Sequence, residues 1–153
     1  MTVRSAENKD TPELITLAKQ IIDMHRELDA YYKPSYAYEN FDAEVQSWLE
    51  DKDTRVLVAE EDGKLIGYIR GVVEDAPTFA SVKRIGVVYD TFVAEEFRKK
   101  GIGKKLFAEL LAWFREQGVK NVELNVDARN PAAIALWRKS GFKDYKLRMR
   151  LDL

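Results

Sequence analysis

Polar and apolar residues alternate over "TVRSA", residues 2–6, which predicts a short opening strand. Leu14, Leu17, Ala18, Ile21 and Ile22, with His25 or Leu28, then recur at helical spacing. They predict a helix over 11–28, with Thr11 as N-cap, Pro12 at its first position and His25 packed on its inner side. Pro34 breaks the pattern, and a second, shorter helix follows over 41–51. Alternation returns in "TRVLVAEED" and "KLIGYIRGVVED", two strands joined through Asp62-Gly63, a strong hairpin signal. After the loop "APTFASVK", residues 84–94 run almost continuously apolar and β-branched, as a strand buried on both faces does. A helix over 103–118 ends at Gly118, and "NVELNVDA" predicts a further strand. "NPAAIALWRKSG" predicts a helix with Asn130 as N-cap, Pro131 first and Gly141 beyond its end; "FKDYKLRMRLDL" alternates into a final strand.

The order strand, two helices, three strands, helix, strand, helix, strand implies a sheet with helices on both faces. Pairing is antiparallel at the hairpin and parallel across the later helical crossovers. At 153 residues the chain suits one domain, 1–153, with no linker or repeat. Net charge is −1, so nothing global favours nucleic acid or a membrane surface. No signal peptide or spanning segment is evident, and a cytoplasmic location is expected. Without cysteine and with one histidine, thiol chemistry is excluded and a metal site has no support.

Charge is nevertheless concentrated locally. "FRKKGIGKKL", residues 97–106, sets Arg98, Lys99, Lys100 and Lys104 around Gly101 and Gly103 at a strand-to-helix junction. The first amides of a helix lack internal partners and lie at its positive end, and glycines let an anion approach them directly. The stretch therefore suits a phosphate or pyrophosphate. It is not a P-loop, because Lys105 stands where Ser or Thr is needed. Nor is it the dinucleotide fingerprint, whose third glycine is replaced by Leu106.

The arrangement V-x-x-x-x-R-x-x-G-x-G, from Val93 through Arg98 and Gly101 to Gly103, resembles the acyl-CoA loop of the GNAT superfamily of N-acetyltransferases. "NPAAIALWRKSGF" resembles that family's second signature, with Asn130, Ala133, Leu136, Lys139, Gly141 and Phe142 in place. The resemblance covers essentially the whole chain. It implies an α/β fold with a central mixed twisted sheet of six to seven strands, flanked by about four helices. It further implies that acetyl-CoA is the co-substrate, and that a primary amine of a small molecule or peptide attacks the thioester directly. Its pantetheine arm would lie between two splayed strands along Phe92 and Val93. Its pyrophosphate would meet the loop Arg98, Lys99, Lys100, Gly101, Ile102, Gly103 and Lys104, with Asn130, Ala133, Trp137 and Lys139 bordering the arm, thiol and nucleotide. The Val93 amide would polarise the carbonyl, and Asp90, three residues earlier, is the candidate base or proton relay.

Many relatives carry Tyr at the position of Trp137, where its hydroxyl serves the leaving thiolate; an indole N–H can donate a hydrogen bond but is no acid. Tyr89 and Tyr145 are candidate substitutes. For the acceptor, the segment after the first helix offers Asp29, Tyr31, Tyr32 and Tyr36, with Tyr38 and Glu39, a set of aromatic faces and carboxylates suited to a cationic amine. Alternatives are an acyl-CoA-binding sensor without turnover, favoured by Trp137, and an ATP-binding protein using the glycine loop. The short C-terminal segment leaves room for one strand rather than a pair, so a homodimer is expected to complete the sheet or pocket.

Overall fold

The computed structural model describes residues 1–153. Its elements are β1 (Thr2–Ser5), α1 (Thr11–Leu28), α2 (Phe41–Glu50), β2 (Thr54–Glu61), β3 (Lys64–Asp75), β4 (Arg84–Val93), α3 (Ile102–Glu116), β5 (Val122–Leu124) and α4 (Pro131–Lys139). The strands form one sheet in the order β1-β2-β3-β4-β5, antiparallel throughout except for the parallel pair β4–β5.

Period-two alternation, shifted by one residue at bulges at Ile66 in β3 and Tyr89 in β4, divides the sheet between two cores. Leu57, Ala59, Ile66, Ile69, Val73 and Val88 pack on one face under α3, against Leu106, Phe107, Leu110 and Phe114. Val56, Val58, Leu65, Tyr68 and Phe92 pack on the other, under Leu14, Leu17, Ala18 and Ile21 of α1 and Val45 and Trp48 of α2. The β2–β3 turn carries positive φ at Asp62 (51°) and Gly63 (75°), as a two-residue hairpin loop requires.

Four sequence expectations are corrected. Asp10, not Thr11, is the residue before α1; it is buried because Arg4 grips its carboxylate with two bonds of 2.7 and 2.9 Å. His25 is exposed rather than inward, with its ring 6.1 Å from that of Tyr32. The strand expected from "NVELNVDA" is cut to three residues. The final strand over 142–153 does not form, so the sheet has five strands rather than six to seven. Alternation supplies a face but not a partner: no backbone group from Lys143 to Leu153 bonds another backbone group.

Candidate active site

β4 and β5 part company early. They pair only at Gly86–Val122, Val87–Glu123 and Val88–Leu124, while β4 runs on for five residues to Val93. The divergence begins at a bulge: Arg70 faces Asp90 and Gly71 faces Val88, so Tyr89 is the extra residue that bends β4 away. A slot with one free strand edge results. Ala94 donates its amide to Ile66 on β3 at 2.9 Å. Because successive residues turn to alternate edges, Thr91 and Val93 direct their backbone groups into the slot, whereas Phe92 directs its own toward β3. Of the two predicted backbone contacts, the Val93 amide is thus available, its carbonyl being taken by Arg98, and Phe92 is committed to the sheet. Thr91 was not singled out by sequence, and its Oγ1 is buried with no partner.

At the slot's mouth the chain leaves β4 through a short 3-10 turn, Glu95–Phe97, and enters α3. Lys99 (φ 63°) and Gly101 (φ 79°) are left-handed, and this conformation turns consecutive amides outward. The amides of Lys99, Lys100, Gly101, Ile102, Gly103 and Lys104 have no protein acceptor; the first helical bond is from Lys105 to the Gly101 carbonyl, 3.1 Å. No side chain caps this end and no acidic residue occupies the first turn. A Cβ at Gly101 would meet nothing within 4 Å, and one at Gly103 only a Val93 methyl at 4.0 Å. The space over these amides is therefore open, beside the end of β4. Arg98, Lys99, Lys100 and Lys104 surround it, all exposed. Arg98 is partly engaged: its Nε donates to the Val93 carbonyl at 2.9 Å and its guanidinium lies 5.7 Å from the Phe92 ring, which ties the loop to β4. Open donors at a positive helix end fit the phosphates of a coenzyme A-like molecule.

Across the slot, the Asn130 side chain accepts the Ala133 amide at 3.1 Å and so caps α4. Trp137 is half-buried, edge-on to Phe107 (5.3 Å) and Phe142 (5.6 Å), and Lys139 is exposed.

Asp90 is not a free carboxylate. Arg70 Nε donates to it at 2.6 Å, and the Arg70 guanidinium lies between the Trp48 ring (4.3 Å) and the Tyr89 ring (4.7 Å). Sequence reading missed Arg70 and Trp48; a lone arginine inside the apolar strand "YIRGVV" was the available signal. Tyr89 donates to Glu74, which raises its pKa and makes it a poorer acid. The nearby Tyr68 hydroxyl is buried without a partner, and desolvation pushes its pKa well up. Glu44, Asp51 and Glu74, with Trp48, Arg70 and Tyr89, line an adjoining cavity of about 360 Å³.

On the acceptor side, Tyr31, Tyr32 and Tyr36 are exposed. Asp29 is already engaged: it accepts the Tyr31 amide at 3.1 Å and Nη2 of both Arg129 and Arg150 at 2.9 Å. These guanidiniums hold its pKa well below the usual carboxylate range. Arg150 also lies over the Tyr31 ring at 4.6 Å. Arg129 and Arg150 are distant in sequence from Asp29, and no local pattern marks them as its partners. Tyr145 is exposed in the C-terminal segment. No helix is long and apolar enough to cross a membrane.

Residues 21–142 match the model of the acetyltransferase (GNAT) family. The chain is 29% identical over 146 residues to the uncharacterized N-acetyltransferase YhfO of Bacillus subtilis (strain 168), covering 94% of this chain and 91% of that protein. It is 33% identical over 106 residues to an N-alpha-acetyltransferase of Sulfurisphaera tokodaii, covering 65% and 62%. Among solved structures, a tetramutant of the BH1408 protein of Bacillus halodurans superposes with TM-score 0.87 at 24% identity, covering 100% of both chains. The aminoglycoside N-acetyltransferase AAC(6')-Iy, in complex with the bisubstrate analog CoA-S-monomethyl-acetylneamine, superposes with TM-score 0.81 at 17% identity, covering 99% and 97%. At these identities the two superpositions speak for the fold alone.

Proposed function

The chain belongs to the acetyltransferase (GNAT) family of acyltransferases, and from that premise we propose that it moves an acetyl group from acetyl-CoA to a primary amine of a small molecule or peptide. The single observation that carries the cofactor assignment is the run of six unpartnered amides at the end of a free strand edge. The amides of Lys99 to Lys104 hold the pyrophosphate, with charge from the surrounding lysines. The Val93 amide and the backbone groups of Thr91 hold the arm as an added strand would be held.

The bound thioester supplies an activated acyl group. The amine nitrogen attacks its carbonyl carbon, the carbon–sulfur bond breaks, one amine proton is lost, and the thiolate takes a proton up. The Val93 amide polarises the carbonyl, and the slot supplies proximity and orientation. Asp90, fixed by Arg70, attracts the ammonium or passes its proton to water; an ionised carboxylate with an ordinary pKa of about 4 is a weak base for an ammonium of about 10. Trp137 shapes the thiol end through its packing on Phe107 and Phe142. The aromatic faces of Tyr31, Tyr32 and Tyr36 meet a cationic acceptor. Asp29 orders that segment, and would bind an amine itself only by releasing Arg129 or Arg150. The working unit is a homodimer.

A second reading, an acyl-CoA-binding module without turnover, is favoured by one observation: neither Asp90, ion-paired to Arg70, nor Trp137 is a free acid or base. Thermal-shift titration with acetyl-CoA, dephospho-coenzyme A and ATP, followed by thiol release with an amine panel, separates the two. Acetyl-CoA is expected to raise Tm by mass action, and the panel to contain an amine that releases thiol. Stabilisation with no release by any amine favours the module. No stabilisation, or preference for ATP, refutes the cofactor assignment.

A further inference from the structure

Tyr68 is a phenol where the packing asks only for a phenyl ring. The residue is 0% exposed, in the core that Leu14, Leu17, Val45 and Phe92 build under α1 and α2. Its hydroxyl meets no protein donor or acceptor. A buried hydroxyl left in that condition lowers the folding equilibrium constant by about 5- to 150-fold, so a bare apolar core would be better served by phenylalanine. The polar side chains of the two covering helices are spent elsewhere. Glu13 accepts the Leu65 amide at 2.9 Å, the Gln46 carbonyl accepts the Thr11 hydroxyl at 3.1 Å, and Ser47 donates to the Glu44 carbonyl at 2.6 Å.

One polar group is within reach. Strand pairing sets Tyr68 opposite Phe92 and Arg70 opposite Asp90, so Tyr68 and Asp90 are diagonal neighbours on one face of β3 and β4. Such positions lie about 7–8 Å apart, a span that an aromatic side chain covers. Asp90 is engaged through Oδ2 alone, by Arg70 Nε; its Oδ1 has no donor, and neither Nη of Arg70 has a protein acceptor. The electrostatics agree with that placement. Burial first, and then the charge of Asp90, push the Tyr68 pKa well up, while Arg70 opposes them. The phenol therefore stays protonated and remains a donor.

We infer that Tyr68 is a positioning residue: its hydroxyl holds, through one bridging water, the oxygen of Asp90 that Arg70 leaves free. The water accepts from Tyr68 Oη, donates to Asp90 Oδ1 and accepts from an Arg70 Nη, about the three partners that a buried water takes. Both oxygens of Asp90 are then fixed from β3, and the carboxylate keeps one orientation toward the acceptor side. Being fully buried, Tyr68 touches no substrate and acts through Asp90 alone. That last role rests on the acetyltransferase reading; the tie between Tyr68 and Asp90 does not.

The test uses the full chain. Denaturant melts compare the parent protein, Tyr68→Phe, Asp90→Ala and the double variant. Tyr68→Phe removes one oxygen from a core that accepts a phenyl ring, so it folds, and the sign of its effect is decisive. It is expected to lower the folding equilibrium constant about 5-fold or more, the scale of one net hydrogen bond, and less than twofold where Asp90→Ala is already present. A hydroxyl without a partner gives the opposite sign, because its removal relieves an unpaired polar group. Tyr68→Phe as stable as the parent or more so, or an equal loss in both backgrounds, overturns the inference. With an amine that releases thiol, Tyr68→Phe is expected to lower kcat on the order of 10-fold and leave KM for acetyl-CoA within about twofold, a split that a merely structural change does not produce. An unchanged kcat, or a loss shared by both constants, refutes the positioning role. If the parent releases thiol with no amine, the acetyltransferase reading and that role fail together, and the melts still decide whether Tyr68 holds Asp90.

Discussion

Gly101 and Gly118 stand at opposite ends of α3 in nearly the same backbone conformation, φ 79° and 73°, and a Cβ at either would meet no protein atom within 4 Å. Valine at either site therefore introduces the same defect in folding: a branched L-residue in the left-handed region, at a cost of roughly 1–2 kcal/mol or somewhat more. For a chain of this length that is about 2–8 °C in Tm. The two sites differ in what stands outside them. At Gly101 the side chain enters the open space over the amides of Lys99 to Lys104; at Gly118 it enters solvent past the helix end. Losing even one or two charge-assisted hydrogen bonds to phosphate costs about 1.5–3 kcal/mol each, so Gly101→Val is expected to weaken coenzyme A binding roughly 10- to 100-fold or beyond. Gly118→Val is expected to leave it within about twofold. Calorimetric titration gives the affinities and thermal melts the strain. Equal affinity losses in the two variants, or none at Gly101, would refute the placement of the pyrophosphate.

Asp90→Asn removes the partner of Arg70, and thiol release should fall mainly below the pKa of the acceptor amine, where a proton must be managed; a pH–rate profile parallel to that of the parent protein would exclude a proton role. Asp10 is nearly buried, and its pKa is lowered chiefly by the two hydrogen bonds from Arg4 and also by the Glu7 amide. A carboxyl depressed in the folded state contributes stability that is complete above its unfolded pKa of about 3.9 and is lost as pH falls through and below that value. Asp10→Asn should cost roughly 2–4 kcal/mol at neutral pH and flatten this acid slope; an unchanged slope in denaturant melts between pH 5 and 2 would show that Asp10 is not the group responsible.

Most elements and the glycine loop at the start of α3 were legible because their signals are local. Helical spacing gave the inward side of α1 through Ile21, though not at His25, Asp62-Gly63 announced the hairpin, and Gly101 and Gly103 marked the junction where α3 begins. Asn130 could be identified as a cap from its neighbours alone. Partnerships across the sheet were not legible. That Asp90 is held by Arg70, and Asp29 by Arg129 and Arg150, depends on side chains brought together from positions 20 to 121 residues apart. The alternation of residues 142–153 announced a strand, yet a strand exists only where another edge meets it. Sequence determines which face of a segment is apolar, because that depends on the residue and its nearest neighbours. Which edges pair and which stay open is decided only when bulges, register and charge pairs set the distances between elements, and in this chain the open edge of β4 is where the candidate slot lies.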